Sequence, residues 1–536
     1  MTEIQALVLS LVPLLLYAEI HSKLPPFPNV LNNRLPEIIA DAPLCVRRNS
    51  AIPLLILAKD AHLFPVELIS VKVRLFQGGV IKWEREILAK SLPLSRRFWS
   101  RLYEIEPEAE GPVEVEVVFS VLRQNKLFTF RNHSYPSGRK TRLRVSLSSD
   151  DLPDSRRVAY GDVHYHSQYT DDAVEFGAPI EATAKMAKAM GLSFFAVTDH
   201  SYDLDDDPKD PAQSDPRLRK WNRFLAECAS LDGGEVAVLP GIELSAGNGK
   251  GQNVHLLILN PDRFHSGRGD SGKMGLKNRP DESVADILKD LGPGELAIAA
   301  HPFQKLSLPE RLLLRRGIWG VGDIREKNLA GLQIFNGREN RNLKRSLEIW
   351  ADILSRGEKK FIFAGNDAHG NFNRQIRMGI PFVRLKIEDT QRFGYMKTGV
   401  LAEDRRDKKG VLSGLSGGRC FVTTGPSIVH HLYAKGERYG PGDEAPGRDF
   451  RLSLEIMSIK EFGKITSVSI ILGDPAAGTE TRRISRMSVP EFTFDGPLPF
   501  GELPGRCYVR IACESERGMA VSNPVWIAKR EGPAPD

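Results

Sequence analysis

The chain lacks any cysteine pattern that could cross-link it or bind a metal ion. Its five cysteines are spread over 536 residues, and no two of them form a Cys-x-x-Cys pair. A disulfide framework and a zinc ribbon are both excluded, because each requires paired or closely spaced cysteines. Scattered, unpaired thiols are typical of a reducing compartment, and we expect a cytoplasmic protein.

Strong net charge and long apolar runs are also missing. With 74 basic and 68 acidic residues the net charge is +6, too weak for a dedicated nucleic-acid binder. The uncharged run at residues 4–18 is too short to span a membrane and is interrupted by Pro13. No basic residue precedes it, as one would in a secretory signal, so we interpret it as a buried N-terminal helix, with a signal segment as the alternative. We expect no membrane association and no stable nucleic-acid partner.

What is present is an ordinary globular composition, 41% hydrophobic and 26% charged, in a chain long enough for about three domains. Short apolar or alternating stretches separated by turn residues predict strands before residue 150 and again after residue 436. The polar, proline-containing segment at 148–157 indicates a linker. We therefore predict an immunoglobulin-like β-rich domain at 1–155, an α/β domain at 156–435 and a second β-rich domain at 436–536.

The central region alternates apolar strands with helical stretches such as Pro179–Met190. Seven strands are predicted, in the segments RRVAYGDVHYH, LSFFAVTD, EVAVLPGIEL, NVHLLILN, ELAIAAH, LAGLQIFN and KKFIFAGND. Alternation of this kind is typical of parallel β-α units, in which catalytic groups gather at the carboxyl ends of the strands. The sequence therefore predicts seven parallel strands with a functional site at one end.

Chemistry-bearing residues follow these strands. His164 and His166 are two apart on a strand, so both rings lie on one face and can reach one cation. Glu243 stands in a strand that should be buried, where a carboxylate needs a cation or a hydrogen-bond donor. Each residue alone also fits an ordinary core or surface role. Nine of them in strands, at strand ends or in first loops predict a metal site, and these are His164, His166, Asp171, His200, Glu243, His255, His301, Asp367 and His369.

In this ordered set the sequence resembles the PHP (polymerase and histidinol phosphatase) metallohydrolases, over roughly residues 158–427. Within that family it is most similar to members with flanking β domains, which include carbamate-cleaving enzymes. Ser167 and Asp172 depart from the usual pattern, and neither removes a ligand. The motifs are Asp162-x-His164-x-His166, Thr170-Asp171, Thr198-Asp199-His200, Pro240-Gly241-x-Glu243, His255, His301-Pro302, Asn336-Gly337 and Asp367-x-His369.

The resemblance implies an α/β fold, a distorted (β/α)7 barrel flanked by β-sandwich-like domains, with two to three divalent ions at its mouth. One ion would be held by His164, His166, Glu243 and Asp367, and a second by Glu243, His255 and His301. Asp171, His200 and His369 would hold the third. Mixed imidazole and carboxylate ligands suit Zn, Mn or Fe, and the sequence does not select among them.

Such a site would activate a water molecule between the ions for attack on a phosphoryl or carbonyl centre. Glu243 and Asp367 would act catalytically as ligands, and Asp199 would orient a ligand histidine or move a proton, although a plain structural pairing fits it equally. Candidate substrate-binding cations are Lys305, Arg338 and Arg374, each of which could equally be a surface charge.

We therefore expect a metal-dependent hydrolase, favouring a phosphoesterase that acts on a small phosphorylated compound. The alternative is hydrolysis of a carboxylic ester, amide or carbamate by the same cluster. A 3′-5′ exonuclease and a non-catalytic metal-binding module are less favoured. The oligomeric state and the role of the β domains cannot be read from the sequence.

Overall fold

The computed structural model describes residues 35–48, 50–134, 141–170, 177–208, 210, 213–271, 278–306, 308–337, 341–374, 377–380, 383–388, 391–402, 407–447 and 449–528. The predicted helix at 4–18, Asp171 and Arg338 lie outside these residues. The chain forms two compact units. The first comprises Met1–Asp151, His166–Gly191 and Ala368–Phe393, and the second comprises Leu152–Tyr165, Leu192–Asp367 and Gly394–Asp536.

Strands dominate the beginning of the first unit, as the apolar stretches before residue 150 predict. In several of them buried and more exposed side chains alternate, which is the pattern of a sheet with one face in a core. These strands are β1 (Glu37–Asp41), β2 (Cys45–Val46), β3 (Ile52–Lys59), β4 (Val66–Gln77), β5 (Val80–Glu86), β6 (Leu92–Leu94), β7 (Phe98–Ile105), β8 (Gly111–Arg123), β9 (Lys126–Arg131) and β10 (Leu143–Leu147).

Two sheets share the core of the first unit. One has the order β1-β3-β7, and the other has the order β2-β10-β8-β4-β5, with β6 on β4 and β9 on β8. Ile38 and Ile56 from one sheet and Val73 and Val117 from the other belong to one buried hydrophobic cluster. Burial of such side chains, at roughly 25 cal/mol per Å² of apolar surface, is the main stabilising contribution available to this unit.

The next strands occupy all seven segments that the sequence marks as strands. They lie in the second unit, apart from β18 to β20 and the last residue of β11. They are β11 (Val158–His166), β12 (Phe194–Val197), β13 (Ala237–Gly247), β14 (Asn253–Leu259), β15 (Leu296–Ala299), β16 (Leu329–Asn336), β17 (Phe361–Gly365), β18 (Ala368–His369), β19 (Arg377–Ile380), β20 (Val383–Glu388), β21 (Lys397–Leu401) and β22 (Cys420–Thr423).

The C-terminal part of the second unit is again built of strands. Strands are expected here from the apolar stretches after residue 436, and three of these stretches, RLSLEIMS, ITSVSIILGD and RCYVRIACES, form strands of the series below. The series is β23 (Ser427–Ala434), β24 (Glu437–Tyr439), β25 (Glu444–Pro446), β26 (Arg451–Met457), β27 (Ile465–Asp474), β28 (Thr479–Val489), β29 (Glu491–Pro497), β30 (Arg506–Ser515), β31 (Gly518–Ser522) and β32 (Val525–Ala528).

The expected barrel of seven parallel β/α units is wrong. Of the residues that the structure describes, 46% are in strands and only 14% in helices. In the second unit one mixed sheet has the order β17-β16-β15-β14-β13-β12-β11-β21-β22-β31-β30-β27-β28 and so continues into the C-terminal strands. β14 is antiparallel to both of its neighbours, and β21 is antiparallel to β11. A second sheet of the same unit has the order β24-β23-β26-β29.

The physical reason for this error lies between β13 and β14. Only residues 248–252 connect the two strands, and Asn248 Oδ1 accepts hydrogen bonds from the backbone N–H groups of Lys250 and Gln252 at 2.9 Å each. A connection this short closes a hairpin, whereas a parallel pair needs a crossover of a dozen or more residues. The two glycines and the asparagine of this segment are turn residues, and they already indicate that β14 runs antiparallel to β13.

Helices are few and mostly short. The helical stretch that the sequence indicates at Pro179–Met190 is present and is one residue shorter at each end. In the described residues the helices are α1 (Ile180–Ala189), α2 (Ser201–Leu204), α3 (Arg219–Ser230), α4 (Val284–Lys289), α5 (Leu308–Leu313), α6 (Val321–Arg325), α7 (Arg341–Ser355) and α8 (Lys408–Ser416). Among these helices none combines the length and the apolar composition that a membrane crossing needs.

Candidate metal centre

A single buried carboxylate, Glu243, is the centre of a polar cluster in the second unit. Glu243 lies in β13, where every residue is buried, and is itself 1% exposed. A carboxylate in such a position is costly unless cations or hydrogen-bond donors surround it. Four imidazoles do so. We call these side chains, together with Asp367, the Glu243 cluster, and it comprises His164, His200, Glu243, His255, His301 and Asp367.

The four rings approach both oxygens of Glu243. Oε1 lies 2.6 Å from His255 Nδ1, 3.2 Å from His301 Nε2 and 3.4 Å from His164 Nε2. Oε2 lies 3.0 Å from His200 Nδ1. These rings come from β11, the start of α2, β14 and the segment after β15, so residues up to 137 positions apart converge on one carboxylate.

The topology of the sheet explains this convergence. β11, β12 and β13 are mutually parallel, and so are β15, β16 and β17. The antiparallel strand β14 begins beside the carboxyl end of β13, because Ser245 near the end of β13 pairs with His255 near the start of β14. A residue near the start of β14 therefore lies beside residues near the carboxyl ends of the other strands.

Asp367 adds a second carboxylate to the cluster. Its Oδ1 lies 3.3 Å from His164 Nε2, and its Oδ2 lies 3.9 Å from His301 Nε2. Asp367 has φ 53° and His301 has φ 29°, in the left-handed region that side chains other than glycine rarely adopt. Such strain costs on the order of 1–3 kcal/mol per residue and is concentrated at functional sites.

The ring of His164 is held from behind by Gln333 in β16. Gln333 Oε1 lies 2.8 Å from His164 Nδ1, and the same oxygen accepts a hydrogen bond from the backbone N–H of His301 at 3.3 Å. The Gln333 amide donates to the carbonyl oxygen of Gly365 at 2.9 Å. Because Gln333 Oε1 can only accept, Nδ1 carries the hydrogen and Nε2 is directed at Glu243 and Asp367.

Asp162 fixes the backbone around His164 and Asp367. Its carboxylate accepts hydrogen bonds from the backbone N–H groups of His164 at 3.1 Å, Asn366 at 3.0 Å and Gly394 at 3.0 Å. Burial raises the pKa of Asp162 to about 6 despite these donors. Asp162, the first residue of the first motif, therefore positions the backbone that carries the cluster residues and is not itself a candidate ligand.

Charge within the cluster shifts the pKa values of its members. Burial alone would raise the pKa of Glu243, but His255, His164 and His200 hold it well below its ordinary value. Burial alone would lower the pKa of His164 and of His255, yet Glu243, with Asp367 for His164, raises each to about 9. Burial dominates at His301 and lowers its pKa. In the metal-free protein the ionised carboxylate of Glu243 therefore faces the protonated imidazoles of His164 and His255.

The donor set fits divalent transition-metal ions. Glu243, His255 and His301 each offer a ligand atom, and these atoms lie within 4.8 Å of one another. His164 Nε2 and Asp367 lie at the next positions around the same carboxylate. Imidazole nitrogens and carboxylate oxygens are ligands that Zn, Mn and Fe accept. A bound ion would displace the protons of the ligand histidines. These buried side chains could hold metal ions.

His166 and His369 belong to the first unit. Their rings stack with centroids 4.0 Å apart, and His166 Nδ1 lies 3.2 Å from Thr170 Oγ1. Both follow cluster residues closely in the chain, since each is two positions after His164 or Asp367. Their assignment as metal ligands, together with that of Asp171, stays a prediction.

The other predicted site residues have different surroundings. Asp199 is fully buried, and its carbonyl oxygen accepts a hydrogen bond from the backbone N–H of Glu243 at 3.0 Å. Lys305 is exposed. Arg374, in the first unit, donates to Asn371 Oδ1 and to the carbonyl oxygen of His369. The roles of Lys305 and Arg374 in substrate binding, and of Asp199 in catalysis, stay predictions.

Three residues beside the cluster escaped the sequence analysis, namely Gln333, Asp270 and Arg316. The signal that could have identified Gln333 is that it is a polar residue inside the apolar strand LAGLQIFN. Asp270 Oδ2 lies 2.9 Å from His255 Nε2, and Arg316 Nε donates to the same oxygen at 2.7 Å. Both residues lie outside the strands, where no periodic pattern singles them out.

Comparison with known proteins does not assign the chain to a family. The chain matches no protein-family model and no curated protein. It is similar to the solved structure of Parabacteroides merdae β-glucuronidase at 8% identity and a TM-score of 0.19, over 93% of this chain and 65% of that one. The chain therefore spans less than two thirds of that protein.

Two further solved structures give the same result. The values for a putative β-galactosidase of Bacteroides fragilis are 9% identity, a TM-score of 0.18, and coverage of 93% and 74%. For a β-D-mannosidase of Dictyoglomus thermophilum they are 9%, 0.20, 92% and 66%. TM-scores this low carry no argument about fold or function.

Proposed function

We propose that the chain is a metal-dependent hydrolase whose reaction takes place at the Glu243 cluster. The observation that carries the proposal is the approach of four imidazoles to one buried carboxylate, with Asp367 beside them. An ordinary protein core has no use for so many titratable groups at one place, because each must be desolvated. The resemblance of the motifs to the PHP metallohydrolases supports the same conclusion.

The residues of the chain would bind and orient the reactants. Glu243, His255, His301, His164 and Asp367 would hold one or two divalent ions, and Gln333 keeps His164 Nε2 directed at them. When bound, such ions lower the pKa of a coordinated water and neutralise charge that develops on the substrate. Asp199 would assist through its position next to His200 in the chain.

The favoured substrate is a small phosphomonoester. The charge of a phosphate group matches a site rich in cations, and the acidic segment at 203–210 that follows His200 in the sequence would repel a long polyanion. Predicted contacts from Lys305, Arg338 and Arg374 belong to this hypothesis.

A neutral ester, amide or carbamate is the second candidate. It is favoured by Asp270, which compensates the charge of Arg316, the arginine in contact with His255. A cation that is already neutralised by a carboxylate is less available to bind phosphate.

Substrate assays on metal-loaded protein test the proposal. The protein is stripped with chelator, reloaded with Zn²⁺, Mn²⁺ or Fe²⁺, and assayed with p-nitrophenyl phosphate, mononucleotides, p-nitrophenyl acetate and a single-stranded oligonucleotide. We expect phosphate release that disappears in Glu243→Gln and persists in Glu480→Gln, a half-buried carboxylate of the same unit that pairs with Arg510. Acetate release alone would identify the second candidate, and no turnover by fully loaded protein would refute the hydrolase.

A further inference from the structure

Asp270 occupies a distinctive position behind His255. Its side chain is completely buried, and three groups contact its carboxylate. Arg316 Nε donates to Oδ2 at 2.7 Å, His255 Nε2 lies 2.9 Å from the same oxygen, and Ser245 Oγ donates to Oδ1. These three contacts fix the carboxylate in place.

The two ring nitrogens of His255 face opposite neighbours. Nδ1 lies 2.6 Å from Glu243 Oε1, on the side where the cluster converges. Nε2 contacts Asp270 and also lies 3.0 Å from Arg316 Nη2. Arginine has no acceptor, so a hydrogen on Nε2 can be donated only to Asp270. When the hydrogen on Nε2 is donated to Asp270, the lone pair of Nδ1 is left for a ligand on the Glu243 side.

His164 has the same arrangement with a different partner. Gln333 receives the hydrogen of its Nδ1, and Nε2 faces Glu243. Two ligand histidines thus each have one nitrogen held by an outer group and the other directed at the same carboxylate. Metal-bound histidines characteristically have such outer partners, whose removal lowers metal affinity about 10- to 100-fold.

We propose that Asp270, held by Arg316 and Ser245, is a positioning residue that fixes the orientation of His255 and thereby sets the affinity of the Glu243 cluster for a divalent transition-metal ion. This inference rests on the metal site of the proposed function, but not on its substrate. Arg316 has an indirect role in it, because it holds the carboxylate in position. A direct role of Arg316 in binding substrate is the competing explanation.

The test measures metal binding and not turnover. The experiment titrates chelator-stripped protein with Co²⁺ and compares wild type with Asp270→Asn, Arg316→Gln and Arg316→Lys. Binding is monitored by visible absorption and by competition with a chromophoric chelator. We expect affinity to fall about 10- to 100-fold in Asp270→Asn and about 10-fold in Arg316→Gln, with a changed absorption band in both. Arg316→Lys, which keeps a cation beside Asp270, should recover part of the loss.

Glu480→Gln is the matched control. Glu480 forms a partly buried bidentate pair with Arg510, at 2.8 and 2.6 Å, in the β27-β28-β30 part of the same unit. Its loss should lower the melting temperature while Co²⁺ affinity and spectrum remain unchanged. Arg315→Gln removes a neighbouring arginine, which donates to the carbonyl oxygen of Gly251, and should likewise leave Co²⁺ binding unchanged.

The outcomes separate the inference from the proposed function. Folded Asp270→Asn with wild-type affinity and spectrum would overturn the inference and leave the hydrolase proposal intact. If Asp270→Asn does not fold, Arg316→Gln decides by the same criterion. Metal-loaded wild type without hydrolysis, but with weakened binding in Asp270→Asn, would refute the proposed function and support the inference. Wild type that binds no Co²⁺ would overturn both.

Discussion

Metal binding should displace protons from the Glu243 cluster, and the number displaced can be estimated from the structure. His164 and His255 have pKa values raised to about 9 by the carboxylates they face, so both are protonated below pH 8 in the metal-free protein. A ligand imidazole must be neutral. His301, whose pKa is lowered by burial, contributes less than either of these two rings. Filling the cluster at pH 6.5 should therefore release about one to two protons, fewer than two where the two rings repel each other.

The sign of the pH dependence follows from the same competition. Because protons and metal ions occupy the same nitrogens, metal affinity should rise with pH by about 10- to 100-fold per unit between pH 6.5 and 8, and level off above about 9. Metal-free protein should show the opposite trend. A histidine with a raised folded pKa stabilises the fold fully below its unfolded value of 6.5 and loses that contribution as pH rises through about 9.

The assay is a titration of chelator-stripped protein with Zn²⁺ in weak buffer containing a pH indicator, combined with calorimetry in buffers of different ionisation enthalpy. At pH 6.5 a coordinated water is still largely un-ionised and adds little to the count. Glu243→Gln removes the largest charge that raises both histidine pKa values, although Asp367 still faces His164 and Asp270 still faces His255, so the variant should release fewer protons per ion than wild type. Tight binding by wild type without proton release, or with pH-independent affinity, would refute the described electrostatics.

Two further predictions concern packing and stability. Gly365→Ala should weaken metal binding and destabilise the fold by about 1–3 kcal/mol, because its Cβ would lie 2.6 Å from His164 Cβ and 2.7 Å from His164 N; Gly322→Ala, with nothing within 4 Å, is the control. Equal effects of the two variants in urea unfolding and Co²⁺ titration would contradict this. Within the described residues neither ring nitrogen of the fully buried His430 has a hydrogen-bond partner, and burial lowers its pKa to about 3. Since the unfolded chain gains a proton below 6.5 and the folded one does not, His430→Leu should relieve about 2 kcal/mol of destabilisation at pH 5 relative to pH 7.5. Parallel pH profiles of unfolding free energy for wild type and variant would disprove it.

The positions of the strands and of most cluster residues could be predicted from local pattern. Apolar runs that end in His200, His301 or Asp367 are detectable because a strand needs continuous burial, while a charged group at its end needs a partner. The same logic marks Glu243 inside its apolar strand. These are properties of a few neighbouring residues, which is why a single sequence reveals them.

The direction of the strands and the outer groups of the site could not be predicted in the same way. β14 is antiparallel because residues 248–252 close a hairpin. The alternation of strands and helices, on which the parallel prediction depends, does not take the length and turn residues of this single connection into account. Asp270 and Arg316 reach His255 from 15 and 61 residues away in the chain, and neither lies in a periodic segment. Partners of that kind depend on how loops fold back over the sheet, and local propensity does not determine this.

The metal content of the protein tests the central claim most directly. Native protein is purified without chelator or added metal and analysed by elemental mass spectrometry, beside Glu243→Gln and Glu480→Gln prepared identically. We predict at least one divalent transition-metal ion per chain in wild type and in Glu480→Gln, and a strongly reduced content in Glu243→Gln. Wild type that contains no such ion and takes up none after reloading, or Glu243→Gln that retains the full content, would contradict the account.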